Sequence, residues 1–249
     1  VSEAFPGKNT ALHIAAAILK KYLRDKKQHA RIPGATGARR LACIFTAWAL
    51  AMSITPAHAV NTQAAAGQTI LVLGDSLSAA YGIPRESGWV ALLQQQLTNG
   101  NDAPGARVIN ASISGDTTDG GLARLPPLLQ KHKPAIVVLE LGANDGLRGF
   151  QIRRLRENLE KLIQLSQGSG AKVLLIGIKI PPNYGLRYTS DFYESFTLLA
   201  HEYNIPLVPF LLDGVATRPE LMQEDRLHPR AEAQPRILKT VWPYLKKML

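Results

Sequence analysis

Four polar stretches in this 249-residue chain hold residue types that can move an acyl group. In LVLGDSLSAAYG (71–82), Asp75 and Ser76 follow an apolar run and Gly74, which permits a tight turn. A serine where a helix would begin can serve as a nucleophile, because the helix dipole favours negative charge developing nearby. Ser and Asp are also ordinary helix N-caps, so both readings stand for this stretch alone. NASISGDTTDGGLARL (110–125) carries Gly115, whose backbone N–H can approach a ligand closely or simply belong to a turn before an N-cap. With neither a Walker pattern nor GxGxxG, a phosphate-binding loop is disfavoured there. LELGANDGLRG (139–149) offers Asn144, a neutral side-chain donor, within residues that also make good turns.

The fourth stretch, QEDRLHPRAEAQP (223–235), sets Asp225 three residues before His228. At that spacing a carboxylate can reach back to the imidazole Nδ1–H and fix the tautomer, leaving Nε2 to face a serine. Three histidines lie beyond residue 59. His132 stands between Lys131 and Lys133 and reads as solvated; His201 falls in a helical segment; only His228 sits in a polar loop beside an acid.

For these stretches to converge, the elements between them must bring them together. TILVLG (69–74), RVINAS (107–112), AIVVLELG (135–142), KVLLIGI (172–178) and IPLVPF (205–210) are apolar and rich in β-branched residues, as strands buried on both faces are. Segments with helical spacing separate them, at 88–98, 118–131, 151–167 and 190–203, and a last one covers 231–247. This alternation predicts one α/β domain over 69–249, with a five-stranded parallel sheet, right-handed crossovers and helices on both faces. In open parallel sheets ligands gather at the carboxyl ends of the strands, where the first three polar stretches begin.

The net charge of +10 would suggest a polyanionic partner. However, residues 1–59 hold nine Lys or Arg against two acids, which leaves twenty against seventeen in residues 60–249. A nucleic-acid partner is therefore not expected. Arg39-Arg40, the apolar run LACIFTAWALAMSI (41–54) and TPAHA (55–59) have the form of a secretory signal cleaved after Ala59. The run is short of the ~20 apolar residues a membrane span needs. Residues 1–38 read as upstream sequence ahead of that signal, and 60–68 as a linker. The one cysteine, Cys43, leaves no partner for an intrachain disulfide. Export to the periplasm or the medium is the expected localisation.

GDSL (74–77), the SxSGDT segment (112–117), GAND (142–145) and DRLHP (225–229) resemble, in order and spacing, the four blocks of the GDSL, or SGNH, hydrolases. GDSLSAAYGI, INASISGDTT, LELGANDGLRG, PPNYGLRY and MQEDRLHP are closer still to the bacterial periplasmic thioesterase, lysophospholipase and arylesterase group, over roughly residues 69–240. One departure is Arg226-Leu227, where that group usually has Gly-Ile.

The resemblance implies a flavodoxin-like three-layer sandwich. It further implies Ser76 as nucleophile, His228 as base and Asp225 as the partner of His228. The oxyanion hole would comprise the N–H groups of Ser76 and Gly115 with the Asn144 amide. Such a site asks for no metal or organic cofactor. Its substrates would be acyl esters, aryl esters, acyl thioesters or lysophospholipids, with transient contact to lipid, and a monomer is expected. A carbohydrate O-deacetylase of the same superfamily and a non-catalytic flavodoxin-like module are the alternatives. Tyr184 and Tyr188, with Phe192 and Tyr193, fall in the segment 181–193 after the fourth strand. These aromatics can either line an acyl groove or pack on the next helix.

Overall fold

The structure is a computed structural model that describes residues 68–249. The signal with its Cys43, the cleavage point after Ala59 and all but the last residue of the linker lie outside the described residues.

Strands β1 (Thr69–Gly74), β2 (Arg107–Asn110), β3 (Ile136–Glu140), β4 (Lys172–Ile176) and β5 (Leu207–Val208) form one parallel sheet in the order β2-β1-β3-β4-β5. Helices α1 (Trp89–Asn99), α2 (Thr118–His132), α3 (Ala143–Leu147), α4 (Ile152–Gly168), α5 (Leu186–Glu202) and α6 (Gln234–Leu245) complete a three-layer α/β/α sandwich. Successive strand residues point to opposite faces. Ile70, Val72, Ile136, Val138, Leu174 and Ile176 thus join one core, with Trp89 and Leu93 of α1 and Ile237 and Val241 of α6. Leu71, Leu73, Val137, Leu139, Val173 and Leu175 join the other, with Leu125, Leu159, Leu162 and Phe196 of α2, α4 and α5.

The fold class expected from the pattern is the one found, with three local differences. β2 is a half-exposed edge strand, because among the described residues no strand pairs with its outer side. β5 shrinks to two residues: the flanking Pro206 and Pro209 have no N–H to give a ladder. α5 begins at Leu186 rather than 190, so most of the segment 181–193 is helix. The order of strands reverses at β1 and β3, which opens a crevice beyond their carboxyl ends.

Candidate active site

β1 delivers Asp75 and Ser76 into that crevice. The chain does not enter a helix there; residues 76–82 run through overlapping turns, held by Ala79 N–H on the Asp75 carbonyl at 2.9 Å and Tyr81 N–H on the Ser76 carbonyl at 3.2 Å. Asp75 Oδ1 accepts the N–H of Leu77 at 3.0 Å, which tightens the first turn. Gly74 is required by crowding rather than by its torsion angle. A Cβ at that position would lie 2.6 Å from Glu140 Oε2 and 2.9 Å from Ser112 Oγ.

From the other side, the loop before α6 brings His228. Met222 and Pro229 form an antiparallel bridge, and Gln223 N–H donates to the His228 carbonyl at 2.7 Å, which closes the loop at its base. At its tip, Asp225 Oδ1 accepts the N–H groups of Leu227 and His228 at 2.9 and 3.0 Å, while Oδ2 lies 2.6 Å from His228 Nδ1. His228 Nε2 lies 2.8 Å from Ser76 Oγ. Partial burial pulls the Asp225 carboxyl upward, but the bonds from the His228 ring and the two N–H groups prevail and hold it below its usual range. A carboxylate bonded to Nδ1 fixes the imidazole tautomer so that Nε2 faces Ser76. The Tyr81 ring rests against the imidazole, centroids 4.5 Å apart. The turn puts Arg226 at φ +57°, a left-handed conformation that glycine adopts without penalty. This accounts for the Gly usual at that place in the group the sequence resembles.

Gly115 and Asn144 complete the arrangement. Gly115 has φ +80°, and an added Cβ would meet only Arg148 Nη2, at 3.9 Å. The loop carrying it is braced by Arg124, which donates to the Ala111 carbonyl at 2.7 Å and pairs with the Asp116 carboxylate. Arg148 Nη2 donates to the Gly115 carbonyl at 3.0 Å. Among the described residues, no protein acceptor takes the backbone N–H of Ser76 or of Gly115. Asn144 lies in the short helix α3, where the sequence suggested only a turn. Its Nδ2 donates to the Asp116 carbonyl at 2.9 Å and to Asp75 Oδ2 at 3.2 Å. Next to it, the buried Asp145 accepts the N–H of Thr118 at 2.9 Å, anchoring the start of α2 behind the Gly115 loop.

Burial raises the Asp75 carboxyl to about 7, helped by the charges of Asp116 and Asp145 and opposed by the bonds from Leu77 and Asn144.

A cavity of about 180 Å³ adjoins Ser76, Asn144 and His228, walled by Leu147, Ile178, Ile180, Phe210, Leu212 and Leu227. Neither Tyr184 nor Tyr188 lines it. Tyr184 donates its hydroxyl to the Leu147 carbonyl at 2.9 Å and Tyr188 to the Phe150 carbonyl at 2.7 Å, so both tie the α3 segment to α5. Phe192 is fully buried in the core, and the Tyr193 ring stacks beneath Lys179 Nζ at 4.9 Å. The packing alternative describes these aromatics. The cavity's apolar wall comes instead from α3, from the segments just past β4 and β5, and from Leu227 of the His228 loop.

The sequence also left Glu140, Ser78 and Trp89 unremarked. Their signal was available: Glu140 is an acid within the otherwise apolar run AIVVLELG.

A parallel α/β/α sandwich whose first strand and last loop set Asp225, His228 and Ser76 in a hydrogen-bonded relay has the arrangement that serine hydrolases use. The chain belongs to the GDSL-like lipase/acylhydrolase family, which it matches over residues 72–235. It is 52% identical over 201 residues to the esterase TesA of Pseudomonas aeruginosa, covering 81% of this chain and 99% of that protein. It is 45% identical over 173 residues to thioesterase 1/protease 1/lysophospholipase L1 of Escherichia coli, covering 70% of this chain and 81% of the relative. The crystal structure of the psychrotrophic esterase EstA from Pseudoalteromonas, inhibited by monoethylphosphonate, superposes with a TM-score of 0.69 at 46% identity, covering 72% of this chain and 97% of that one.

Proposed function

We propose that this chain hydrolyses carboxylic esters and acyl thioesters, lysophospholipids among them, through an acyl-enzyme on Ser76. The observation that carries the reading is the continuous relay from Asp225 Oδ2 through the His228 ring to Ser76 Oγ, at 2.6 and 2.8 Å. His228 takes the Ser76 proton as Oγ attacks the acyl carbon, and Asp225 holds and stabilises the imidazolium. The tetrahedral oxyanion is met by the N–H groups of Ser76 and Gly115 and by Asn144, whose amide exchanges its longer bond, to Asp75, for the oxyanion. His228 gives its proton to the leaving alcohol or thiol. It then activates the water that frees the acid.

The apolar cavity receives the acyl chain. Its wall of Leu147, Ile178, Ile180, Phe210, Leu212 and Leu227 offers that chain an apolar surface beside Ser76. Action as a monomer belongs to the same proposal, as does export through the leader, which the signal-like run at 41–54 supports.

A series of 4-nitrophenyl esters from acetate to palmitate tests the reading. Folded protein should hydrolyse members of this series and an acyl thioester. No turnover of any ester or thioester by folded protein, or cleavage of sugar acetates alone, would overturn it.

A further inference from the structure

Glu140 is the only acid in the five strands, and it is completely buried. Its Oε2 accepts the Ser78 hydroxyl at 2.6 Å and the Asp75 N–H at 3.3 Å. Trp89 Nε1 donates to the same Ser78 hydroxyl at 3.2 Å, so the hydroxyl is left free to give its own proton to Glu140. The carboxyl thus grips the turn on both sides of Ser76, at residues 75 and 78. It also fills the space beside Gly74, where a Cβ would come within 2.6 Å of Oε2. Beyond Asp75 the ladder continues through Oδ2 to the Asn144 amide. Glu140 makes no hydrogen bond to Ser76 Oγ or His228, and strand alternation puts it on the face of β3 that carries Ile136 and Val138 of an apolar core. An acid there costs stability unless its bonds serve something.

We propose that Glu140 is a positioning residue of the hydrolase: it sets the turn that presents Ser76 and, through Asp75, the aim of the Asn144 amide. This rests on the reading of Ser76 as nucleophile and Asn144 as oxyanion donor. Burial, reinforced by the neighbouring Asp75, holds the Glu140 carboxyl well above its usual range. The neutral, equally shaped glutamine can therefore stand in for it: its amide oxygen can accept the same two bonds.

The experiment measures kcat and KM of Glu140→Ala and Glu140→Gln on a soluble aryl ester, each normalised to sites titrated by a fluorophosphonate. The same alanine change is then repeated in an Asn144→Ala background. Glu140→Ala should lower kcat about 10- to 30-fold with KM within about twofold, and E140Q should recover most of it. In the Asn144→Ala background the alanine change should cost clearly less than in the unaltered protein, because the amide being aimed is gone and only the effect on the Ser76 turn remains. Should Glu140→Ala not fold, Ser78→Ala, which removes one grip, should give the same pattern at about 3- to 10-fold. Unchanged kcat per titrated site, or a full penalty that persists without Asn144, would overturn the inference. Absence of labelling at Ser76 in the unaltered protein would defeat the nucleophile assignment itself, and this inference with it.

Discussion

Asn144 Nδ2 donates to Asp75 Oδ2 at 3.2 Å while a second, shorter bond of 2.9 Å ties it to the Asp116 carbonyl. The amide is thus anchored by one bond and merely steadied by the other. Asn144→Ala should lower kcat by about 10²–10³ and leave KM nearly unchanged, because the charge it meets exists mainly in the transition state. Steady-state kinetics on an aryl ester checks this. A change confined to KM would make Asn144 a ground-state contact.

His228 and Asp225 should separate in the same assay. His228→Ala removes the base. Asp225→Ala leaves an imidazole that can still reach Ser76 but no longer keeps one tautomer. The expected loss in kcat for Asp225→Ala is about 10²–10⁴, smaller than for His228→Ala. If the order reversed in folded protein, Asp225 would be doing more than orienting the ring.

The architecture was largely legible in the chain. Unbroken apolar runs such as TILVLG and KVLLIGI announce strands covered on both faces, and their spacing leaves room for crossover helices. Ser76, Gly115, Asn144, Asp225 and His228 draw notice because each stands in a polar block just past a strand or before the last helix, but each block alone also reads as a turn or cap, and the proposed roles come from the resemblance of the four blocks together. Other features depend on tertiary context. The aromatics at 184–193 resemble a pocket lining by composition, yet α5 begins four residues early and turns Phe192 into the core. Glu140 stands out in the sequence as an acid in an apolar run, but what it does becomes visible only in the fold, where Ser78 and Asp75 close on it.

Stability should fall as pH rises from about 5 to 8. The Asp75 carboxyl moves from 3.8 in the free chain to about 7 in the fold, so the folded state binds its proton more tightly. The stability contributed is complete below the lower value and is lost as pH passes through the higher one. Glu140 and Asp145, both raised by burial, act in the same direction. Asp225 is lowered and acts oppositely: its contribution is present above the ordinary carboxylate range and is lost as pH falls below it. Calorimetry should show Tm declining across this window by about 2–4 °C per kcal/mol lost, with Asp75→Asn flattening the slope. A Tm that rises toward pH 8 would contradict it.

Arg226→Gly should stabilise the protein by up to about 1 kcal/mol, because glycine removes the left-handed penalty at φ +57° and yields some of that gain to unfolded-chain entropy. Urea unfolding reads the difference. A loss of stability would mean the Arg226 side chain makes compensating contacts.

The relay from Asp225 to Ser76 stands or falls on which serine becomes covalently modified. Treat the protein with a fluorophosphonate, digest it and locate the adduct by mass spectrometry, alongside Ser76→Ala. A single adduct on Ser76, absent from the variant and slowed by His228→Ala, is the result this mechanism requires. An adduct on Ser78, Ser112 or any other serine, or labelling that survives Ser76→Ala, would contradict it.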